Sequence, residues 1–326
     1  MSRSTRRGAL GAVRRGLVLG VLGLAGTVAF GQGQDFSDVD VHVLHVQGKV
    51  YMLVGAGGNI TVQAGDDGVV LVDTQFAGLS DKIVAAVREI SDRPIRYIIN
   101  THVHPDHTGG NVALASAGRG IAPSAPGQGA VGAAATIIAH ENVLTRMTQD
   151  QPPTPIEAWP NTTYYAGTKE LYMNGEAIQI MHQPNAHTDG DSLVYFRGSD
   201  VVAAGDVFVT TTYPFIDWQR GGSLQGIIDA ANTILDIAIP KHEQEGGTYV
   251  IPGHGRLCDE HDVLEYRDML TIIRDRVQDM RSRGMTLEQV KAANPTLDYE
   301  PRWGATSGFW TTDMFLEAVY AEFSDN

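Results

Sequence analysis

Residues 101–111 read THVHPDHTGGN and set His102, His104, Asp106 and His107 within six consecutive positions. The run before them, RPIRYIIN, is apolar enough for a buried strand, so the cluster stands at a strand end. In an extended chain His102 and His104 point to the same side, and Pro105 biases His104 towards extended geometry. Asp106 and His107 then fall where the chain must turn, and Gly109-Gly110 permit the turn before a short helix. Neutral imidazole suits Zn2+, and a carboxylate is tolerated. A catalytic zinc typically takes three protein ligands and keeps one position open for water. Four donors in one loop exceed one such site and fall short of two, so further ligands must come from distant parts of the chain. An architecture whose strand ends converge on one edge can deliver them.

The remaining pattern agrees with such an architecture. VHVLHVQGKVYMLVG predicts a hairpin around Gln47-Gly48-Lys49, and NITVQAGDDGVVLVDTQ a second around Asp66-Asp67-Gly68. Ser80 is expected to cap a helix with Ile83, Val84, Val87 and Ile90 on one face. Residues 112–135 are nearly all Ala, Gly, Pro and Ser, and read as a flexible surface insertion unable to build a core. A second β-rich set follows, in ELYMNGEAIQIMHQP, DSLVYFRGSD and VVAAGDVFV. Then come a helix capped by Ser223, the strand TYVIPGHG, and helical segments including one opened by a Thr286-x-x-Gln289 capping box. Two β-rich halves with helices between and after them predict an α/β fold, layered with sheets inside and helices outside.

The first 31 residues carry five arginines and no acid, followed by an apolar stretch over residues 17–30 that is short for a membrane span. That layout predicts an export signal, residues 1–31, ahead of a mature domain, 32–326. The pairs Arg6-Arg7 and Arg14-Arg15 suggest the twin-arginine route to the periplasm or exterior. No membrane span is expected after cleavage. The formal net charge of −14 repels nucleic acid and anionic membranes, which leaves a small-molecule substrate as the expected partner. Cys258 is the single cysteine, so an intrachain disulfide and a cysteine-cluster metal site are excluded.

Candidates for the missing ligands stand at other strand ends: His187 in NAHTDGDS, Asp206 in AAGDVF and His254 in IPGHG. Taken in order with His102-x-His104-x-Asp106-His107, these residues resemble the metal motifs of the metallo-β-lactamase-fold hydrolases, over about residues 40–258. The resemblance implies a four-layer αβ/βα sandwich with two Zn2+ per chain at one edge, between the sheets. It implies that His102, His104 and His187 hold the first ion and Asp106, His107 and His254 the second, with Asp206 bridging. Asp73, in LVDTQ, stands where the family has an acid beneath the histidine loop, and such groups orient ligands.

The chemistry expected from this set is hydrolysis by metal-bound hydroxide, with Asp106 orienting the nucleophile as well as binding metal. The superfamily opens β-lactams, lactones, thioesters and other esters, so the fold alone does not choose among them. A cyclic amide or ester is the first reading. A thioester hydrolase of the glyoxalase II type, an iron-dependent oxidoreductase on the same fold and a non-catalytic metal-binding protein are the others. Tyr213, Trp218 and Trp159 are candidates for the pocket wall, because aromatic residues near a site often line it. His42, His45, His140, His182, His242 and His261 lack ligand spacing and are expected to be structural or exposed.

Overall fold

The computed structural model describes residues 35–121 and 134–323. The expected export signal and residues 122–133 of the low-complexity stretch lie outside the described residues. Two sheets carry the fold. The first has seven strands in sequential spatial order: His42–Gln47 (β1), Val50–Val54 (β2), Ile60–Gly65 (β3), Gly68–Val72 (β4), Ile95–Ile99 (β5), Thr136–His140 (β6) and Thr162–Tyr164 (β7). The second has six: Thr168–Met173 (β8), Glu176–Gln183 (β9), Asp191–Phe196 (β10), Val201–Gly205 (β11), Tyr249–Pro252 (β12) and Cys258–Asp259 (β13). Both expected hairpins form, with Gln47 opposite Val50 and Gly65 opposite Gly68.

Helices cover the outer faces: Ser80–Ile90 (α1), Pro105–Thr108 (α2), Asn111–Ala117 (α3), Glu141–Gln149 (α4), Leu224–Ile237 (α5), Glu260–Ser282 (α6), Leu287–Ala293 (α7), Glu300–Trp303 (α8) and Thr312–Glu322 (α9). The layering follows from period-2 burial. In β4, Val69 and Leu71 pack outward on Leu79, Ile83 and Val87, while Val70 and Val72 face Ile178, Ile180, Val194 and Phe196 of the other sheet. A strand buried on both faces has no solvent side, which is why its sequence is apolar without alternation. On the far side, Val202 and Val250 pack against Ile227, Ile234, Tyr266 and Leu270 of α5 and α6. The result is helix, sheet, sheet, helix: an αβ/βα sandwich.

Two local expectations change. Ser80 is the first residue of α1 rather than its cap, because a turn of 3-10 helix over Ala77–Leu79 runs directly into the helix and Leu79 occupies the cap position. Ser80 Oγ is accordingly buried without a hydrogen-bond partner among the described residues. The low-complexity stretch does contribute to a core at its start: residues 112–117 belong to α3, which buries Leu114 and Ala115 against sheet one. Alanine's high helix propensity accounts for this, and composition alone concealed it. Ser223 and the Thr286–Gln289 box cap α5 and α7 as expected.

Candidate metal centre

Strand direction brings the site together. β4, β5, β6 and β7 are parallel, as are β11 and β12, so their carboxyl ends share one edge, where ligands of α/β sheets collect. Asp73 follows β4, the histidine loop follows β5, Asp206 follows β11 and His254 follows β12. His187 sits in the β9–β10 turn at the same edge, since β9 and β11 are both antiparallel to β10. The two sheets are tied there by the Ser192 N–H donating to Thr101 O at 2.9 Å.

Ligating atoms of His102, His104 and His187 lie within 4.8 Å of one another, and those of Asp106, His107 and His254 form a second such group. Asp206 stands between them. Its Oδ1 is 3.2 Å from His107 Nε2 and 3.5 Å from His254 Nε2, and its Oδ2 is 3.7 Å from His187 Nε2. Asp106 Oδ2 lies 3.2 Å from His254 Nε2.

Hydrogen bonds on the far side of each ring set which nitrogen faces the centre. His187 Nδ1 donates to Phe215 O at 2.7 Å, which leaves Nε2 as its lone pair. His104 Nε2 donates to Asp217 Oδ2 at 2.9 Å, which leaves Nδ1. His107 Nδ1 donates to Asp73 Oδ2 at 2.8 Å, and Asp73 also accepts from the Thr101 N–H and hydroxyl. With these tautomers His104 Nδ1 and His187 Nε2 oppose lone pairs at 2.8 Å. His102 Nε2 and Asp206 Oδ1 are buried with no hydrogen-bond partner among the described residues. Converging lone pairs and orphaned acceptors are costly in a protein interior unless a cation satisfies them. The donors therefore fit metal ions, with imidazole and carboxylate as the ligand chemistry.

Electrostatics split the same way. Burial, aided by the neighbouring His107 and His187, holds His102 well below the ordinary imidazole range, and burial with His104 brings His187 down to about 4. These rings are neutral donors. Burial also opposes a charge on His107, but Asp206, Asp106 and Asp73 outweigh it and raise its pKa well above the ordinary value. His254 rises to about 9 because Asp206 and Asp106 overcome its burial. Burial would raise Asp206, yet His254 and His107 hold it well below the usual carboxylate range. Positive charge is favoured on the His107–His254 side, beside Asp206 and Asp106, and disfavoured on His102 and His187.

Of the expected wall residues, Trp218 alone is open to solvent, at 69% exposure. Tyr213 is a correction: at 1% exposure it is a core residue, stacked on Phe315 with centroids 4.7 Å apart, and its hydroxyl donates to Thr296 O. Trp159 packs with Val103, Ala139, Val143 and Met147 beneath the histidine loop, and its Nε1 donates to Thr154 O. His140 and His182 stack on each other at 3.6 Å, away from the ligand groups. Sequence reasoning missed Asp217 and Arg220. Asp217 also accepts from Arg220 Nη1 at 2.9 Å, and its negative charge is favoured by His104 and Arg220 against the cost of burial. An acid among the aromatic residues after Asp206 was the available signal.

Residues 53–254 match the Metallo-beta-lactamase superfamily. The chain belongs to that superfamily. A similar curated protein is a linear primary-alkylsulfatase from Pseudomonas sp., 24% identical over 284 residues, or 72% of this chain and 50% of that protein. Among solved structures, the stereoselective inverting sec-alkylsulfatase Pisa1 from Pseudomonas sp. is similar over 87% of this chain and 50% of its own, with a TM-score of 0.66 and 16% identity. A metallo-beta-lactamase from Pontibacter korlensis is similar over 71% of this chain and 99% of its own, with a TM-score of 0.55 and 14% identity. These structural likenesses bear on the superfamily fold. The chain spans about half the length of the alkylsulfatase it matches. Among the described residues no helix is long and apolar enough to cross a membrane.

Proposed function

We propose that this superfamily member is a metal-dependent hydrolase of a small molecule. Its ions, two Zn2+ in this reading, are held by His102, His104 and His187 on one side and by Asp106, His107 and His254 on the other, with Asp206 shared. The observation that carries this reading is the placement of Asp206 between two donor groups whose lone pairs face inward. Zinc, when bound, supplies a Lewis acid and lowers the pKa of water from about 15.7 to about 7.

The chain's own groups do the rest. Asp217 and Phe215 O keep His104 and His187 in the tautomers that present a lone pair, and Asp73 does so for His107. Asp106 is partly open to solvent, so its carboxylate can hold and orient a proton of the attacking water. The alkylsulfatase relative favours a sulfate ester as the bond broken. The β-lactam or lactone ring expected from sequence is the second reading, kept by the superfamily motif set. Residues 1–31 fit this proposal as a signal for export by the twin-arginine route, since an enzyme that acquires its metal while folded benefits from crossing the membrane folded.

Turnover by zinc-loaded protein, measured across alkyl sulfates, p-nitrophenyl esters, thioesters, lactones and β-lactams alongside metal content by mass spectrometry, tests the proposal. Hydrolysis with zinc near two per chain is expected, and so is its loss in His102→Ala. Absence of turnover across the panel would remove the hydrolase reading, and stoichiometric iron with little zinc would move it to the oxidoreductase.

A further inference from the structure

The candidate ligand histidines are held in two ways. Four are fixed through their rings. His104, His107 and His187 are bonded on the far side to Asp217, Asp73 and Phe215 O, and His102 Nδ1 lies 3.0 Å from Thr101 Oγ1. His254 differs. The polar contacts of its ring run through Nε2, to His107, Asp106 and Asp206, and its Nδ1 has no hydrogen-bond partner among the described residues.

Backbone sets its place instead. Residues 252–255 run from the end of β12 through His254, and one side chain gathers them. Asn59, at 7% exposure, donates from Nδ2 to Pro252 O at 2.9 Å and to Gly255 O at 3.0 Å, and its N–H donates to Gly253 O at 2.7 Å. The neighbouring Gly58 N–H donates to Asp106 O at 3.1 Å. Gly58 and Asn59 lie in the loop between β2 and β3 of the first sheet, whereas β12 belongs to the second. This loop therefore joins the backbones of Asp106 and His254, which belong to one donor group. Among the described residues neither Gly58 nor Asn59 bonds to His102, His104 or His187.

Supplying donors to buried carbonyls would be a structural role of its own. The other ties of the segment show what Asn59 adds. Gly253 N–H donates to Gly205 O and Phe208 O, and Thr210 N–H donates to His254 O, all from the strand and loop that carry Asp206. Those bonds hold His254 to its own sheet, and Asn59 holds it to the sheet of Asp106 and His107. A Cβ at Gly253 would collide with Asp206 Oδ1, so this backbone already packs on the centre. A ring without a far-side bond goes where its backbone goes. Resting on the two-ion reading of the proposed function, we infer that Asn59 is a positioning residue. It registers His254 against Asp106 and His107, and so governs the ion of that group while leaving the other ion alone.

Competition for zinc between the loaded protein and a chromophoric chelator, resolved ion by ion, tests this. The step that His254→Ala weakens most marks the ion concerned. Asn59→Ala and Asn59→Leu, the second close in size but without the Nδ2 donors, should weaken that step about tenfold, the lower end for groups that orient ligands, and the other step less than about threefold. Asn59→Ser keeps one donor and should lie between them and the wild type; it carries the comparison if the larger changes prevent folding, which a thermal scan reveals. On the His254→Ala background Asn59→Ala should shift neither step by more than about twofold, because it acts through that ring. Asn174→Ala is the structural control. Its amide, also buried, donates to Gln63 Oε1 and Gly68 O from the β8–β9 turn, at the edge opposite the centre, and its loss should lower the melting temperature with both steps unchanged. Equal weakening of both steps, weakening of neither, or an undiminished effect of Asn59→Ala without His254 would each overturn the positioning while the two-ion reading stands. Wild-type protein that yields fewer than two ions would overturn the two-ion reading and the positioning with it.

Discussion

Asp217 is 113 positions from His104 in sequence, and its carboxylate sets that ring's tautomer from 2.9 Å. Replacing it separates two contributions. In Asp217→Asn one amide oxygen remains to accept from His104 Nε2 or from Arg220, but the negative charge is gone. A hydrogen bond to a charged group contributes about 1.5–3 kcal/mol and a neutral one about 0.5–1.5, so the exchange costs about 1–1.5 kcal/mol, or roughly tenfold in metal affinity. Asp217→Ala removes the acceptor altogether. The His104 ring is then free to turn its proton towards the centre, and the cost approaches a hundredfold, about 2.7 kcal/mol, the upper end for groups that orient ligands. Asp150 accepts from Arg220 at 3.3 Å and, among the described residues, bonds to none of the candidate ligand histidines, so Asp150→Asn is the control and should change affinity less than about threefold. Competition for zinc against a chromophoric chelator gives all four constants. Alanine within a factor of two of wild type would refute the reasoning, as would an Asp150→Asn loss as large as that of alanine at 217.

Three further outcomes follow from the same geometry. Chelating the metal should lower the melting temperature, since a ligand present at a thousand times its Kd contributes about 4 kcal/mol to the folded state, and differential scanning calorimetry with and without chelator measures it. His140 has its pKa lowered to about 4 by burial and by His182 stacked on it. Its folded-state value lies below the ordinary 6.5, so its contribution is complete above pH 6.5 and is lost as the pH falls towards 4, on the order of 2 kcal/mol; His140→Asn, which can still cap α4, should flatten the melting profile over that window. Gly58→Ala should weaken metal binding and destabilise the fold by about 1–3 kcal/mol, because the added carbon meets the His107 ring that Asp73 holds in place, and a chelator titration with a urea melt checks both.

How much of this was legible in the chain depends on how local the cause is. The candidate metal donors were legible because coordination demands particular residue types, and strand ends flanked by glycine and proline are local signals; His187 and His254 stand alone in sequence, yet both follow apolar runs and the fold brings them to the histidine loop. Residues that act on the donors from behind carry no such mark. Any acid can accept from an imidazole, and Asp217 became distinguishable only once β5 and the loop after β11 lay side by side. Aromatic residues are still less specific, since the same ring lines a pocket or fills a core according to which way the backbone turns. Tyr213 and Phe215 are two positions apart in one loop; one is sealed against Phe315, and the other faces the histidines. The helices that seal Tyr213 also hold the loop bearing Phe215 O and Asp217, and through those two contacts they reach His187 and His104. The C-terminal helices, beyond the matched superfamily core, thus brace the candidate metal centre: loosening them should free His104 and His187, two of its seven candidate ligands, to rotate.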